Sequence, residues 1–209
     1  MKNISKLQFI TYGDDKPTIL NQVKQVCEGE CDWIQLRLKD IPKSTLLEIA
    51  KEVKGICRFY GARLIINDYV ELAKEINANG VHLGKNDTSV SVAKKNLGAK
   101  YIIGGTANTF EDIKKLVVEG VDYIGLGPYK FTATKKNLSP VLGTEGYQNI
   151  WNEMQKQAID IPLVAIGSIL TNDIATLKAI GINNFAVSSG IAGAKNIQKL
   201  TKEYLKLVN

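Results

Sequence analysis

Cysteine, histidine and long apolar runs are all scarce in this chain of 209 residues. The three cysteines, Cys27, Cys31 and Cys57, are odd in number, none forms C-x-x-C, and no histidine adjoins them. That pattern argues against a disulfide framework and against a zinc site, and it leaves reduced, partly buried thiols of a cytoplasmic protein as the expectation. The one histidine, His82, falls within an apolar strand-like run. It reads as a satisfied core residue, and a histidine-based triad has no material to work with. No stretch approaches the roughly 18 apolar residues of a membrane span. The opening MKNISKLQFITYG lacks the apolar run of a signal peptide. Nor is there a block of five or six like charges, although Lys+Arg number 27 against Asp+Glu 21 and the formal net charge is +6. The lysines are spread beside Glu and Asp, as in Lys51-Glu52, which describes solvated helix faces rather than a nucleic-acid surface. A mildly positive chain still suits anionic small substrates.

What the sequence does have is alternation. Short apolar runs near Gly, Asn or Asp recur at Leu7–Tyr12, Trp33–Leu38, Arg63–Asn67, Gly80–Leu83, Tyr101–Gly104, Tyr123–Gly127, Leu163–Gly167 and Phe185–Ser188. They read as buried parallel strands. Between them lie helical stripes, such as Leu46, Ile49, Ala50 and Val53, or Ile174, Leu177 and Ile180 with Gly181 as a stop. Thr109 with Asp112 is a helix-start signature. Eight strand–helix units predict an α/β fold, a single (β/α)8 TIM barrel over residues 1–209. The rival open doubly wound sheet would call for G-x-G-x-x-G after the first strand, and none is present. The longest irregular stretch is read as Pro128–Tyr147, a length that points to function.

In such a barrel the chemistry lies where the strands end. Alternation along the second strand sends Gln35, Arg37 and Lys39 into the mouth. Two cations there need an anion, either a neighbouring carboxylate or a bound polyphosphate. Asp68 and Asp87 close the third and fourth strands. Each alone could cap a helix, and for Asp87 the following Thr-Ser-Val makes that reading as good as the functional one, but together they suit Mg²⁺, which takes few protein ligands. Thr132, Thr134 and Lys135 in the long stretch form either an anion clamp or a polar surface. Gly167, with Ser188 and Ser189, falls where this fold holds phosphate. Two anion sites are therefore expected across one mouth.

These segments, QLRLKD, LIINDYVELAKEINANGVHLGKND, IIGGTANTFEDI, DYIGLGPYKFTATKKNLSPVLGTEGY and IPLVAIGSI, occur in the order found in thiamine-phosphate synthases, which the chain resembles over nearly its whole length. The resemblance implies a transferase that joins 4-amino-2-methyl-5-hydroxymethylpyrimidine diphosphate to a thiazole phosphate. It implies Mg²⁺ on Asp68 and Asp87, and pyrophosphate on Arg37, Lys39, Asn67 and Lys135. Gln35 and Thr106 would lie on the pyrimidine side, Thr132 and Thr134 near the leaving group and thiazole, and Gly167, Ser188 and Ser189 on the thiazole phosphate. It implies small-molecule partners only, with no nucleic acid and no membrane, and leaves a homo-oligomer open. There are two departures: Thr106 stands where Ser is common, and Ser168 where the family usually has a second Gly. If position 168 needs positive φ, a Ser there is strained. Two alternatives are a thiazole tautomerase of the same fold, whose catalytic His falls in the segment where this chain has Asn108, and a non-catalytic phosphate-binding barrel.

Overall fold

The structure is a computed structural model, and it describes residues 2, 4–131 and 139–209. Eight parallel strands close into a barrel in sequence order: β1 (Leu7–Ile10), β2 (Trp33–Leu36), β3 (Arg63–Asn67), β4 (Gly80–Leu83), β5 (Ile102–Ala107), β6 (Tyr123–Leu126), β7 (Leu163–Ala165) and β8 (Asn184–Val187). β1 pairs with β8 through Leu7 and Phe185, which closes the ring. The helices are α1 (Lys16–Glu28), α2 (Lys43–Phe59), α3 (Val70–Glu75), α4 (Val90–Leu97), α5 (Phe110–Glu119), α6 (Gly143–Lys156), α7 (Ile174–Ile180), α8 (Ser189–Ala192) and α9 (Ile197–Val208). Among the described residues no helix is long and apolar enough to cross a membrane.

The local signals explain several boundaries. Asp15 accepts the Thr18 amide at 2.9 Å to start α1. Thr109 and Asp112 form the expected capping box of α5. Gly181, at φ 115°, ends α7 in the left-handed region, where a Cβ is costly. Other boundaries moved. β5 runs on to Ala107, so Thr106 is a strand residue, whereas β1, β2, β6, β7 and β8 stop one or two residues short of the expected ends. Tyr147 lies inside α6, which begins at Gly143. There it is fully buried and donates a hydrogen bond to Leu126 O.

Alternating strand residues divide the core in two. The outward set packs under the helices with Ile19, Val23, Ile49, Ala50, Val53 and Leu177. The inward set, Ile10, Trp33, Ile65, Ile102, Tyr123, Val164 and Ala186, fills the barrel. Trp33 and Tyr123 meet edge to face at 4.9 Å between ring centroids. The bulk of Tyr123 is accommodated opposite Gly104, where a Cβ would come within 2.1 Å of the Tyr123 ring. The three cysteines are free and buried. Burial pushes the Cys31 thiol up to about 12, so it stays protonated.

Candidate active site

At the ends of the strands the inward residues stop filling the barrel and line a cavity of about 170 Å³. Its first wall comes from β2. Gln35 is 2% exposed, and beyond it Arg37 and Lys39 lead into the cavity. Thr11, just past β1, fixes that extension: its hydroxyl accepts the Arg37 amide at 3.0 Å and donates to the Arg37 carbonyl at 3.3 Å. Burial draws the Arg37 guanidinium below its ordinary value, and the nearby Asp68 carboxylate works against that shift.

The second wall comes from β3 and β4. Asp68 holds φ at 67°, a conformation that Asp and Asn tolerate better than most residues. Its amide donates to His82 O at 2.9 Å. Neither Asp68 nor Asp87 caps a helix. α3 has no side-chain cap, α4 is capped by Ser89, and Asp87 Oδ2 accepts the Gly84 amide at 2.7 Å. Burial and the facing Asp87 carboxylate push the Asp68 carboxyl up to about 6, while Lys39, at 3.4 Å, opposes the rise. The carboxylate partner left open for the β2 cations is thus present at Lys39, with a cavity in front of it. A second carboxylate facing Asp68, with cations waiting beside the pair, forms a donor set suited to a hard divalent ion that keeps water and phosphate ligands. Among the described residues no group of three or more His, Cys, Asp or Glu side chains is placed to hold a metal.

The far wall is the phosphate end. Gly167 has φ 105°, and a Cβ there would lie 2.7 Å from Pro128 Cα, so the position is closed to side chains. Ser168, at φ 52°, occupies the positive-φ position foreseen as strained, and its hydroxyl donates to Phe131 O at 2.8 Å. Ser188 and Ser189 precede and open α8, whose first amides have no partner within the helix. All of these residues line the same cavity as Arg37 and Asp68.

Asn67 and Thr106 also line it, which brings every expected site residue in the described chain to one place. Thr132, Thr134 and Lys135 lie outside the described residues. The chain that leads to them is anchored at its start: Tyr129 and Lys130 amides donate to Ile166 O and Gly167 O at 2.8 and 3.1 Å. Lys130 Nζ also reaches both oxygens of the buried Asp173 at 2.6 and 2.8 Å. Sequence reading missed this pair, and nothing in the spacing of residues 130 and 173 announces it. His82 is the satisfied core histidine expected, bonded on both ring nitrogens to Tyr123 and Thr106. Asn108, within the segment Thr106–Thr109 where the tautomerase reading calls for a catalytic His, donates its side-chain amide to Gly127 O.

Comparison with known proteins shows the family. The family model described as thiamine monophosphate synthase matches residues 7–191. A thiamine-phosphate synthase of Phocaeicola vulgatus is 47% identical over 202 residues, covering 97% of this chain and 97% of that protein. One of Pyrococcus horikoshii is 34% identical over 203 residues, covering 97% of this chain and 94% of that protein. The solved thiamine phosphate pyrophosphorylase of Pyrococcus furiosus aligns at TM-score 0.83 and 31% identity, covering 97% of this chain and 95% of its own.

Proposed function

The chain belongs to the thiamine-phosphate synthase family, and on that premise we propose that its barrel mouth joins 4-amino-2-methyl-5-hydroxymethylpyrimidine diphosphate to a thiazole phosphate, releasing pyrophosphate and thiamine phosphate. The observation that carries this reading is the pairing of two anion sites across one cavity: Arg37, Lys39, Asp68 and Asp87 on one side, Gly167, Ser188 and Ser189 on the other. A one-substrate phosphatase or isomerase has no use for both.

Asp68 and Asp87 would hold Mg²⁺, which when bound neutralises charge on a diphosphate. Arg37 offers a planar fork of donors and Lys39 a point charge to the same group, and Asn67 adds a neutral donor at the strand end. As the C–O bond breaks, the electron pair leaves with pyrophosphate, and these cations meet the charge that develops. The pyrimidine methylene carbon is left as a resonance-stabilised cation. The thiazole nitrogen supplies the pair that forms the new C–N bond, and no proton need move. Gly167, Ser188 and Ser189 hold the thiazole phosphate so that the nitrogen faces that carbon. Such chemistry asks for charge placement and alignment rather than acid–base groups, which fits a mouth whose single histidine is already engaged. The Lys39–Asp68 contact keeps the cation on the diphosphate side before substrate arrives.

Pyrophosphate release measured with each substrate alone, with both, and with and without Mg²⁺ tests the reading. Release that requires both substrates and Mg²⁺ supports it. Tight binding of both without release would make the chain a phosphate-binding barrel instead.

A further inference from the structure

Five polar side chains from five different strands form a continuous hydrogen-bonded chain through the barrel interior. Gln35 Nε2 donates to Gln8 Oε1 at 3.1 Å, and Gln8 Nε2 donates to the Tyr123 hydroxyl at 3.3 Å. That hydroxyl lies 3.0 Å from His82 Nδ1, and His82 Nε2 lies 3.0 Å from the Thr106 hydroxyl. The two ends, Gln35 and Thr106, line the cavity, while Gln8 and Tyr123 are 1% and 0% exposed. Polar groups so deeply buried are costly unless each donor finds an acceptor, so their proton positions can be counted.

The Tyr123 hydroxyl has one proton to place, and of its two partners Gln8 is already a donor to it. Its proton is assigned to the other, His82 Nδ1. The neutral imidazole then carries its hydrogen on Nε2 and donates it to Thr106. Thr106 has accepted, so its own hydroxyl proton is left for the cavity. At the other end Gln35 has given one N–H to Gln8 and keeps its carbonyl oxygen and second N–H for a ligand. We propose that Tyr123 and Gln8 are positioning residues that hold His82 as the Nε2–H tautomer and thereby make Thr106 a hydrogen-bond donor to the bound heterocycle. The ligand edge this polarity matches has an acceptor facing Thr106 and a donor beside an acceptor facing Gln35, as on an aminopyrimidine ring. That last step rests on the proposed function; the tautomer does not.

The glycines support the arrangement. Gly104 leaves room for the Tyr123 ring, and a Cβ on Gly125 would come within 3.0 Å of His82 Cε1, so both rings sit against bare backbone that fixes their planes.

Because His82 is the only histidine in the sequence, long-range proton–nitrogen correlation spectra of the ligand-free, ¹⁵N-labelled protein report its tautomer without assignment. The expected result is the Nε2–H form in the wild type. Tyr123→Phe should convert it to a mixture or to the Nδ1–H form. In steady-state assays with Mg²⁺, Tyr123→Phe should raise KM for the pyrimidine diphosphate about tenfold, the worth of one neutral hydrogen bond, with KM for the thiazole phosphate unchanged. In a Thr106→Val background Tyr123→Phe should add nothing further. An Nδ1–H tautomer or an imidazolium in the wild type overturns the proposal, whatever the variants do. So does a Tyr123→Phe penalty shared by both substrates, or one undiminished in the Thr106→Val background. If Tyr123→Phe does not fold, the wild-type spectrum decides alone. If the wild type releases no pyrophosphate, the functional reading fails while the spectrum still judges the relay.

Discussion

Where the strands begin, Asp122 accepts from Lys2 at 2.8 Å and from the Ile103 amide at 2.8 Å. Asn79 Oδ1 takes the Leu64 amide at 2.9 Å and Lys54 at 3.0 Å, and Arg63 meets Asp32 at 3.0 Å. Where the strands end, Asp68 faces Asp87, burial holds Arg37 below its usual basicity, and Asp40, Asp68 and Ser168 all carry positive φ. The first end joins opposite charges and ties loose amides to side-chain acceptors. The second gathers like charges and strained backbone around a cavity. On the proposed function, that cost is offset when an anion and a cation complete the site. The two ends should therefore answer mutation in opposite ways, one through stability and the other through turnover.

The largest effect belongs to the cavity. On the proposed function, replacing Arg37 with alanine removes a fixed donor to the leaving diphosphate and should lower kcat by about 10²–10³-fold, the usual loss for one such group. The fold should survive, since Arg37 belongs to neither of the two buried apolar clusters. Near-normal turnover in a pyrophosphate-release assay would refute its role.

Asp122→Ala reverses the pattern. It strips the Ile103 amide and Lys2 of their acceptor, and the expected cost is about 1–3 kcal/mol of unfolding free energy with kcat unchanged. Chemical denaturation and the same assay check both halves. A drop in kcat without loss of stability would mean that the two ends are coupled.

Asp68→Asn is the complementary test. The Asp68 carboxyl is raised from an ordinary 3.8 to about 6 in the folded chain. Between those values the folded state binds a proton that the unfolded state does not. Stability therefore falls as pH rises from about 4 to 6, and the full penalty persists above 6. An amide mimics the protonated form and suits the same positive φ. Without Mg²⁺, the variant should be more stable than the wild type at pH 7 by about 1 kcal/mol, part of the gain being lost with the Lys39 contact. The difference should vanish towards pH 4. Mg²⁺ with pyrophosphate should then stabilise the wild type and not the variant. A variant less stable than the wild type across the whole pH range would show that the two carboxylates do not strain the fold.

How much of this contrast could be read from the sequence follows the physics of each feature. The barrel was legible because buried parallel strands are short apolar runs with a period that survives any loop, and all eight begin within one residue of the expected place, β5 one late and β8 one early. The mouth was legible at Gln35, Arg37 and Lys39 because strand alternation fixes which face a side chain takes. The same rule applied to β1 and β6 places Gln8 and Tyr123 inside, but neither sits at the C-terminal end of its strand, where a barrel of this kind keeps its chemistry. The Lys130–Asp173 pair was beyond reach, because it joins residues 43 apart whose meeting depends on how two loops leave the barrel. Whether Asp87 caps a helix was likewise undecided by sequence: Ser89, two residues on, offers the same chemistry and takes the role.

Ser168 carries the smallest expected effect and the finest test of the contrast, since it combines strain with a compensating bond. Its φ of 52° is one that glycine adopts freely and other residues adopt at a cost of about 1 kcal/mol. Its hydroxyl gains an exposed hydrogen bond to Phe131 O. Ser168→Gly removes the strain and the bond together and should change stability by less than about 1 kcal/mol. Ser168→Ala keeps the strain and loses only the bond, so it should be the less stable of the two by about 1 kcal/mol. If the bond also holds Phe131 beside the proposed phosphate end, both variants should raise KM for the thiazole phosphate by the same small factor, because both lose the hydroxyl. Equal stabilities for the two variants would mean that the backbone at 168 relaxes out of the left-handed region, and that the strain at this end of the barrel is confined to Asp40 and Asp68.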